Sequence, residues 1–190
     1  MIGLLPIKGY GLPQELIEDL KRNLDAYFGE FGLNVELMPE IDIKPFLDSY
    51  NELRGQFLAS TMAYRIARVR GDFKALLGIT DVDLYERGMN FVFGVAIPPL
   101  RSAIISIYRL DPRFYRKPYN YEKLGERTLK EAVHELGHVF GLPHCPNPKC
   151  VMHFSNSIFD TDFKGWRFCE KCEEKIKYNI DRLTEGRGND

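Results

Sequence analysis

Residues 134–145 read HELGHVFGLPHC and gather three of the chain's 4 histidines, a glutamate and the first of its 4 cysteines. On a helix of 3.6 residues per turn, positions 134 and 138 lie about 40° apart on one face, so both imidazoles can reach a single ion. Glu135, one position on, is near enough to touch a water on that ion without being aimed at it as a ligand, which suits a general base. Gly141 can adopt positive φ and turn the chain sharply, Pro143 resists continuation of the helix, and His144 is thereby brought back as a third ligand. Neutral imidazoles suit zinc, and three protein ligands leave room for a water whose pKa falls to about 7 and which can attack an amide carbonyl. An isolated HExxH is compatible with ordinary surface or core histidines, whereas the glycine and third histidine at these positions make the pattern far more specific.

The cysteines suggest a second ion. Cys145 follows His144 directly, and adjacent side chains on extended backbone point to opposite sides, so it is expected to face away from the histidines. Cys145 and Cys150 bracket a PNPK loop, while Cys169 and Cys172 form a CxxC. Two such pairs make a four-thiolate set for a tetrahedral zinc with no open position, hence a structural one. The other readings are two disulfides, a thioredoxin-like pair at Cys169 and Cys172, or four unrelated thiols. A cytoplasmic compartment, the default for this chain, keeps cysteines reduced, and no βαβ context surrounds the CxxC. A zinc that orders this segment would also order Met152 and His144, so it would indirectly support the histidine site.

These residues must be positioned by a chain of 190 residues, 44% hydrophobic and 28% charged, which is the size and composition of one ordinary globular domain. A net charge of -1 provides no basic field for nucleic acid or an anionic membrane, and neither partner is expected. The opening MIGLLPIKGYGLP reads as a strand rather than a signal peptide, and no run approaches the roughly 20 apolar residues of a membrane helix. Residues 2–7 are read as a strand and 13–30 as a helix with apolar positions 16, 17, 20, 24, 27 and 28. NVELMPEI (34–41) alternates as a strand, and 50–70 is read as a second amphipathic helix ending at Gly71. That βαβα rhythm suggests a layered α/β domain. Three β-like runs follow, 75–85, 91–97 and 102–110, expected to be consecutive and partly antiparallel. A tyrosine- and lysine-rich stretch at 115–123, able to line a cleft or simply to be solvated, leads into a helix from about Gly125 to Gly141. Beyond lies loop and turn chemistry, a charged helix at 173–183 and a tail at 184–190 expected to be mobile. The division is therefore one domain, 1–190, with an N-terminal subdomain over residues 1–141 and a cysteine-bearing subdomain over residues 142–190.

HExxHxxGxxH followed by Met152 in CVMHFS resembles the metzincin metallopeptidases, whose Met-turn methionine forms an apolar floor beneath the zinc ligands. On its own Met152 would read as an ordinary core methionine. HELGHVFGLPHC, CVM and CEKC together resemble the archaemetzincins, in which the metzincin signature runs directly into a four-cysteine zinc site. The resemblance spans residues 134–172 and fills every ligand position; the linker between Met152 and Cys169 is about one residue shorter than the family pattern, which a loop tolerates.

The resemblance implies a metzincin-like zincin fold of the α/β (α+β) class: a mixed, mostly parallel twisted sheet with an antiparallel edge strand, an active-site helix and a small loop-rich C-terminal subdomain. It implies a zinc-dependent peptidase with a peptide or protein substrate and two zinc ions. His134, His138 and His144 would hold the catalytic zinc, Glu135 would be the base, and Cys145, Cys150, Cys169 and Cys172 would hold the structural zinc. FVFGVAI (91–97) best fits the edge strand at the cleft rim, with Gly94 allowing either a close backbone approach or a bulge. Some metzincins carry a tyrosine two residues after the methionine; Phe154 stands there. His153 is expected to be a hydrogen-bonded or solvated histidine rather than a ligand. The chain starts on its first strand, so a prosegment cysteine blocking the zinc is not expected. The rival reading is a zinc-stabilised peptide-binding or regulatory protein with little or no turnover, against which Glu135 argues, since a structural site needs no base.

Overall fold

The computed structural model describes residues 1–185, with side chains through Leu183. The tail expected at 184–190 lies outside the described residues except for the end of the final helix. Alternation along the strands explains the layers. In β1 (Ile2–Lys8), β6 (Ala75–Thr80) and β9 (Ser102–Ser106), successive side chains point to opposite faces of the sheet. Ile2, Leu4, Leu77, Ile79 and Ile105 enter one apolar cluster, together with α1 (Gln14–Gly29) and α3 (Tyr121–Val139). Leu5, Ile7, Leu76 and Ile104 enter another, against α2 (Ala59–Ala67). Strands buried on both faces read as continuous hydrophobic runs, as these do.

The main sheet runs β2-β1-β6-β9-β8, with β2 (Val35–Leu37) and the short β3 (Ile41–Asp42) both parallel to β1. β1, β6 and β9 are parallel neighbours, and β8 (Gly94–Ile97) closes the edge antiparallel to β9. The mixed, mostly parallel sheet with an antiparallel edge strand is thus the architecture expected. The cluster beneath α3 also contains Leu142, Val151, Met152, Phe168 and Ile176, so its packing runs across Gly141 into the C-terminal segment. Among the described residues no helix is long and apolar enough to cross a membrane.

Several boundaries differ from the sequence reading. The expected helix at 50–70 is a helix only from Ala59. Tyr50–Asn51 (β4) and Gln56–Leu58 (β5) form an antiparallel hairpin that pairs with Leu84–Tyr85 (β7). Gly55 takes φ 66 and its N–H, like that of Arg54, is donated to the Asn51 carbonyl, which turns the chain where helical spacing alone would continue it. The strand read at 34–41 is split into β2 and β3 around Pro39, and the last β-run ends at Ser106. α3 begins one turn early because the Asn120 side chain accepts the Lys123 N–H at 2.8 Å. The final helix, α5 (Glu170–Glu185), likewise starts ahead of 173.

A short helix, α4 (Ile158–Phe163), stands in the stretch read as loop, nucleated by a capping box between Ser157 and Asp160. Arg127 of α3 holds it: Nε and Nη2 each donate to an Asp162 oxygen at 2.8 Å, and Nη1 donates to the Leu110 carbonyl at 2.9 Å. Lys130 adds bonds to the Thr161 and Asp162 carbonyls at 3.2 Å each. Burial pushes the Asp162 carboxyl up, but Arg127 and Lys123 outweigh it and hold the group below its ordinary range. A depressed carboxylate contributes stability that is present above its unfolded value near 4 and is lost as pH falls through the folded one. Asp162→Asn, which leaves the buried Arg127 without its carboxylate partner, should therefore cost about 3 kcal/mol near neutrality. The difference from wild type should shrink in urea titrations carried out at acid pH.

Candidate active site

His134 and His138 project from the last turns of α3, and the helix then ends as the glycine demands. Gly141 has φ +87; its N–H reaches the His138 carbonyl at 2.9 Å and the Leu142 N–H reaches the Gly137 carbonyl at 2.9 Å, a Schellman closure. The turn carries His144 back toward the helix, and the candidate ligand atoms of all three histidines lie within 4.8 Å of one another. Nδ1 of His134 lies 2.7 Å from the Val151 carbonyl and Nδ1 of His138 2.7 Å from the Leu142 carbonyl. A carbonyl oxygen only accepts, so both Nδ1 atoms carry the proton and both Nε2 atoms present lone pairs. Those Nε2 atoms face each other at 3.1 Å. Burial, then the nearby Lys164 and neighbouring histidine charge, holds His134 well below its ordinary pKa, and burial foremost lowers His138 and His144 too. Two unprotonated lone pairs that close repel unless a cation lies beside them, so the donor set fits a metal ion.

Beneath this cup Met152 is fully buried. A Cβ at Gly137 would stand 2.4 Å from its Sδ, so only glycine lets the methionine press against the helix between the two histidines. Met152 is thus packed against the turn of α3 that carries His134 and His138. Glu135 is buried on the sheet side of α3, and its Cγ would lie 2.9 Å from a Cβ at Gly94. Gly94 thus serves a close approach by the helix, and it continues the regular register with β9 rather than bulging. Burial, and then the neighbouring Glu131, pushes the Glu135 carboxyl well up, against the pull of Lys164.

A cavity of about 910 Å³ opens over the histidines, walled by β8 and residues 89–93 on one side and by Phe154, Ser155 and Asn156 on the other. Phe154 packs against His144 with ring centres 5.0 Å apart, so no hydroxyl occupies the place where a tyrosine can stand. His153 turns away and donates from Nδ1 to the Cys145 carbonyl at 2.8 Å. The 115–123 segment does not line this cavity: Tyr115 bonds the Arg109 carbonyl, Tyr121 bonds Asp19, and Asn120 caps α3.

All four cysteines are unbonded thiols, and their sulfurs converge within 4.8 Å, with Cys145 and Cys169 3.8 Å apart. The Cys145 N–H is donated to the Met152 carbonyl at 2.9 Å, which ties this cluster to the histidine floor. Burial pushes the Cys150 and Cys172 thiols up. Burial opposes ionisation of Cys169 as well, yet hydrogen bonds from the Cys172 backbone and neighbouring thiols hold its pKa down. Four free thiols whose sulfurs converge on one point are a donor set suited to a thiophilic cation. Two polar groups on the cavity wall escaped the sequence reading. Glu131 sits one turn before Glu135, and that i, i+4 spacing was available to find it. Lys164 follows α4, far away in sequence from α3, and carried no local signal.

A three-histidine cup and an adjacent glutamate on a helix beneath the antiparallel edge of a mixed sheet define a zinc metallopeptidase of the metzincin type. The family model described as Peptidase family M54 matches residues 11–178, and an archaemetzincin of Pyrococcus abyssi is 49% identical over 185 residues, 96% of this chain and 98% of its own. The chain belongs to this family, the archaemetzincins. The crystal structure of archaemetzincin from Methanopyrus kandleri is similar at a TM-score of 0.80 with 35% sequence identity, covering 95% of this chain and 96% of that one. An archaemetzincin from Archaeoglobus fulgidus, complexed with malonate, has a TM-score of 0.75 with 37% identity, covering 92% of this chain and 98% of that one.

Proposed function

We propose that the chain hydrolyses peptide bonds with zinc held by His134, His138 and His144, with Glu135 as general base, and with a second, structural zinc held by Cys145, Cys150, Cys169 and Cys172. The observation that carries the first site is the facing pair of unprotonated Nε2 atoms at 3.1 Å, each set by a backbone carbonyl behind its ring. Zinc bound there supplies Lewis acidity, polarising the scissile carbonyl and lowering the pKa of a water to about 7. Glu135 takes a proton from the attacking water and passes it to the leaving amine. A raised carboxyl pKa suits the second half of that task, and the cation offsets it for the first. A relative from Methanocorpusculum labreanum bears the description zinc-dependent peptidase, which supports the same chemistry here. A cytoplasmic setting accords with four reduced thiols.

The substrate lies extended along β8. Ser106 donates to the Phe93 carbonyl at 2.8 Å, and hydrogen-bonded pairs alternate along an antiparallel ladder. Val95, opposite Ile104, therefore bonds inward to β9, whereas Ala96, opposite Ala103, turns its N–H to the open edge. Val95→Pro should disturb the sheet and lower the melting temperature. Ala96→Pro should fold and keep its metal yet raise KM about tenfold, the worth of one lost backbone bond to the peptide. Normal cleavage by both variants would place the rim elsewhere.

The function itself is tested by incubating the pure, zinc-loaded protein with a diverse peptide library, with and without a chelator, and reading products by mass spectrometry. Chelator-sensitive cleavage is expected. Peptides retained by the protein but never cut would favour a binding protein instead.

A further inference from the structure

Two buried charged side chains beside Glu135 have no role in the proposed reaction. Glu131 lies one turn earlier on the same face of α3, is 4% exposed, and lines the same cavity wall as Glu135. Lys164, 2% exposed, reaches the same cavity wall from the end of α4. Its Nζ donates to the His153 carbonyl at 3.1 Å and touches His134 Nδ1 at 3.4 Å. Since that Nδ1 already donates to Val151, the ammonium gains no hydrogen bond there, and the acids that share its cavity wall and attract its charge are Glu131 and Glu135. Its location is not accidental to a loose loop, because Arg127 and Lys130 clamp α4 onto α3. A lysine this deeply buried is rare unless its charge is matched, and here the match is a pair of acids on adjacent turns.

We propose that Glu131 and Lys164 are positioning residues for Glu135: Glu131 grips its carboxyl from the turn behind, and Lys164, fixed by α4, holds that pair in place beside His134. The proposal rests on the reading of Glu135 as the base. From the opposite side, Gly94 lets β8 close on the Glu135 stem, so the carboxyl is confined between strand, helix and α4. A base confined in this way is held ready for the attacking water instead of sampling rotamers, which is where a catalytic group gains from its supports.

Two peptide inhibitors that share one sequence separate this role from a structural one. A hydroxamate chelates the zinc and also leans its hydroxyl on the base, whereas a thiol reaches the metal alone. Glu131→Met and Lys164→Met should each weaken hydroxamate binding about tenfold or more while thiol affinity and zinc content stay within twofold of wild type. In turnover, kcat should fall about tenfold or more with KM unchanged. Glu131→Gln, which keeps a hydrogen-bonding group, should retain hydroxamate affinity within about threefold. The Glu131→Met/Lys164→Met double variant should lose no more than the worse single, because both act through one carboxyl. Should Lys164→Met fail to fold, Glu131→Met decides alone. Equal weakening of both inhibitors, or no weakening of either, would overturn the positioning role while leaving the peptidase reading intact. A zinc-loaded wild type that bound neither inhibitor would overturn both.

Discussion

Glu135→Gln should abolish most hydrolysis, by about 10²- to 10⁴-fold in kcat, while both metals and the fold are retained. The amide keeps the shape of the side chain, so the contact of its stem with Gly94 survives. Stability should stay close to that of the wild type, since the amide fills the same space. Glu135→Ala is the harsher test, because it also leaves a cavity under β8. The measurement is steady-state cleavage of a peptide identified from the library, together with metal analysis and a melting curve. Wild-type activity in Glu135→Gln would assign the base to another group. Activity lost together with zinc would instead make Glu135 a support for the histidines.

Cys169→Ser should act in the reverse order, on stability first and on activity only as a consequence. The four sulfurs lie at the junction of the 145–150 loop, the Phe168 segment and α5, and Cys150 and Cys172 belong to the same apolar cluster as Met152. Structural zinc contributes its binding energy directly to folding. Removal of one ligand should thus cost about 4 kcal/mol or more, on the order of 10 °C in melting temperature for a chain of this size. Zinc content should fall from two per chain to one. The remaining ion should be released by a chelator at lower concentration than in wild type, because the Met152 floor and the His144 turn are tied to the cysteine loop through the Cys145 to Met152 bond. In the wild type the open histidine site should lose its metal before the closed thiolate site. A single zinc that survives loss of all four cysteines, with no change in melting temperature, would exclude the second site.

What the sequence determined on its own is whatever depends on local geometry. The spacing of His134 and His138 is a property of any helix, and Gly141 followed by Pro143 specifies a turn whatever the rest of the chain does. Those constraints were enough to bring His144 into the set and to send Cys145 to the other side. The paired cysteine spacings and the buried strands β1, β6 and β9 were legible for the same reason, since periodicity and short separations carry their meaning within a few residues. Helical spacing at 50–58 misled because residues equally able to line a helix were drawn into a hairpin by the turn at Gly55 and by pairing with β7.

Tertiary structure alone decided which distant segments meet. It put Met152 against the bare backbone of Gly137, and pressed β8 onto Glu135 at Gly94. It also turned the 115–123 stretch away from the cleft and brought Lys164 from the end of α4 to His134 on α3. None of these contacts has a period or a spacing to announce it. Each depends on how layers stack and on where a chain returning from 29 residues beyond Glu135 finds room for its charge, which only the packed molecule specifies.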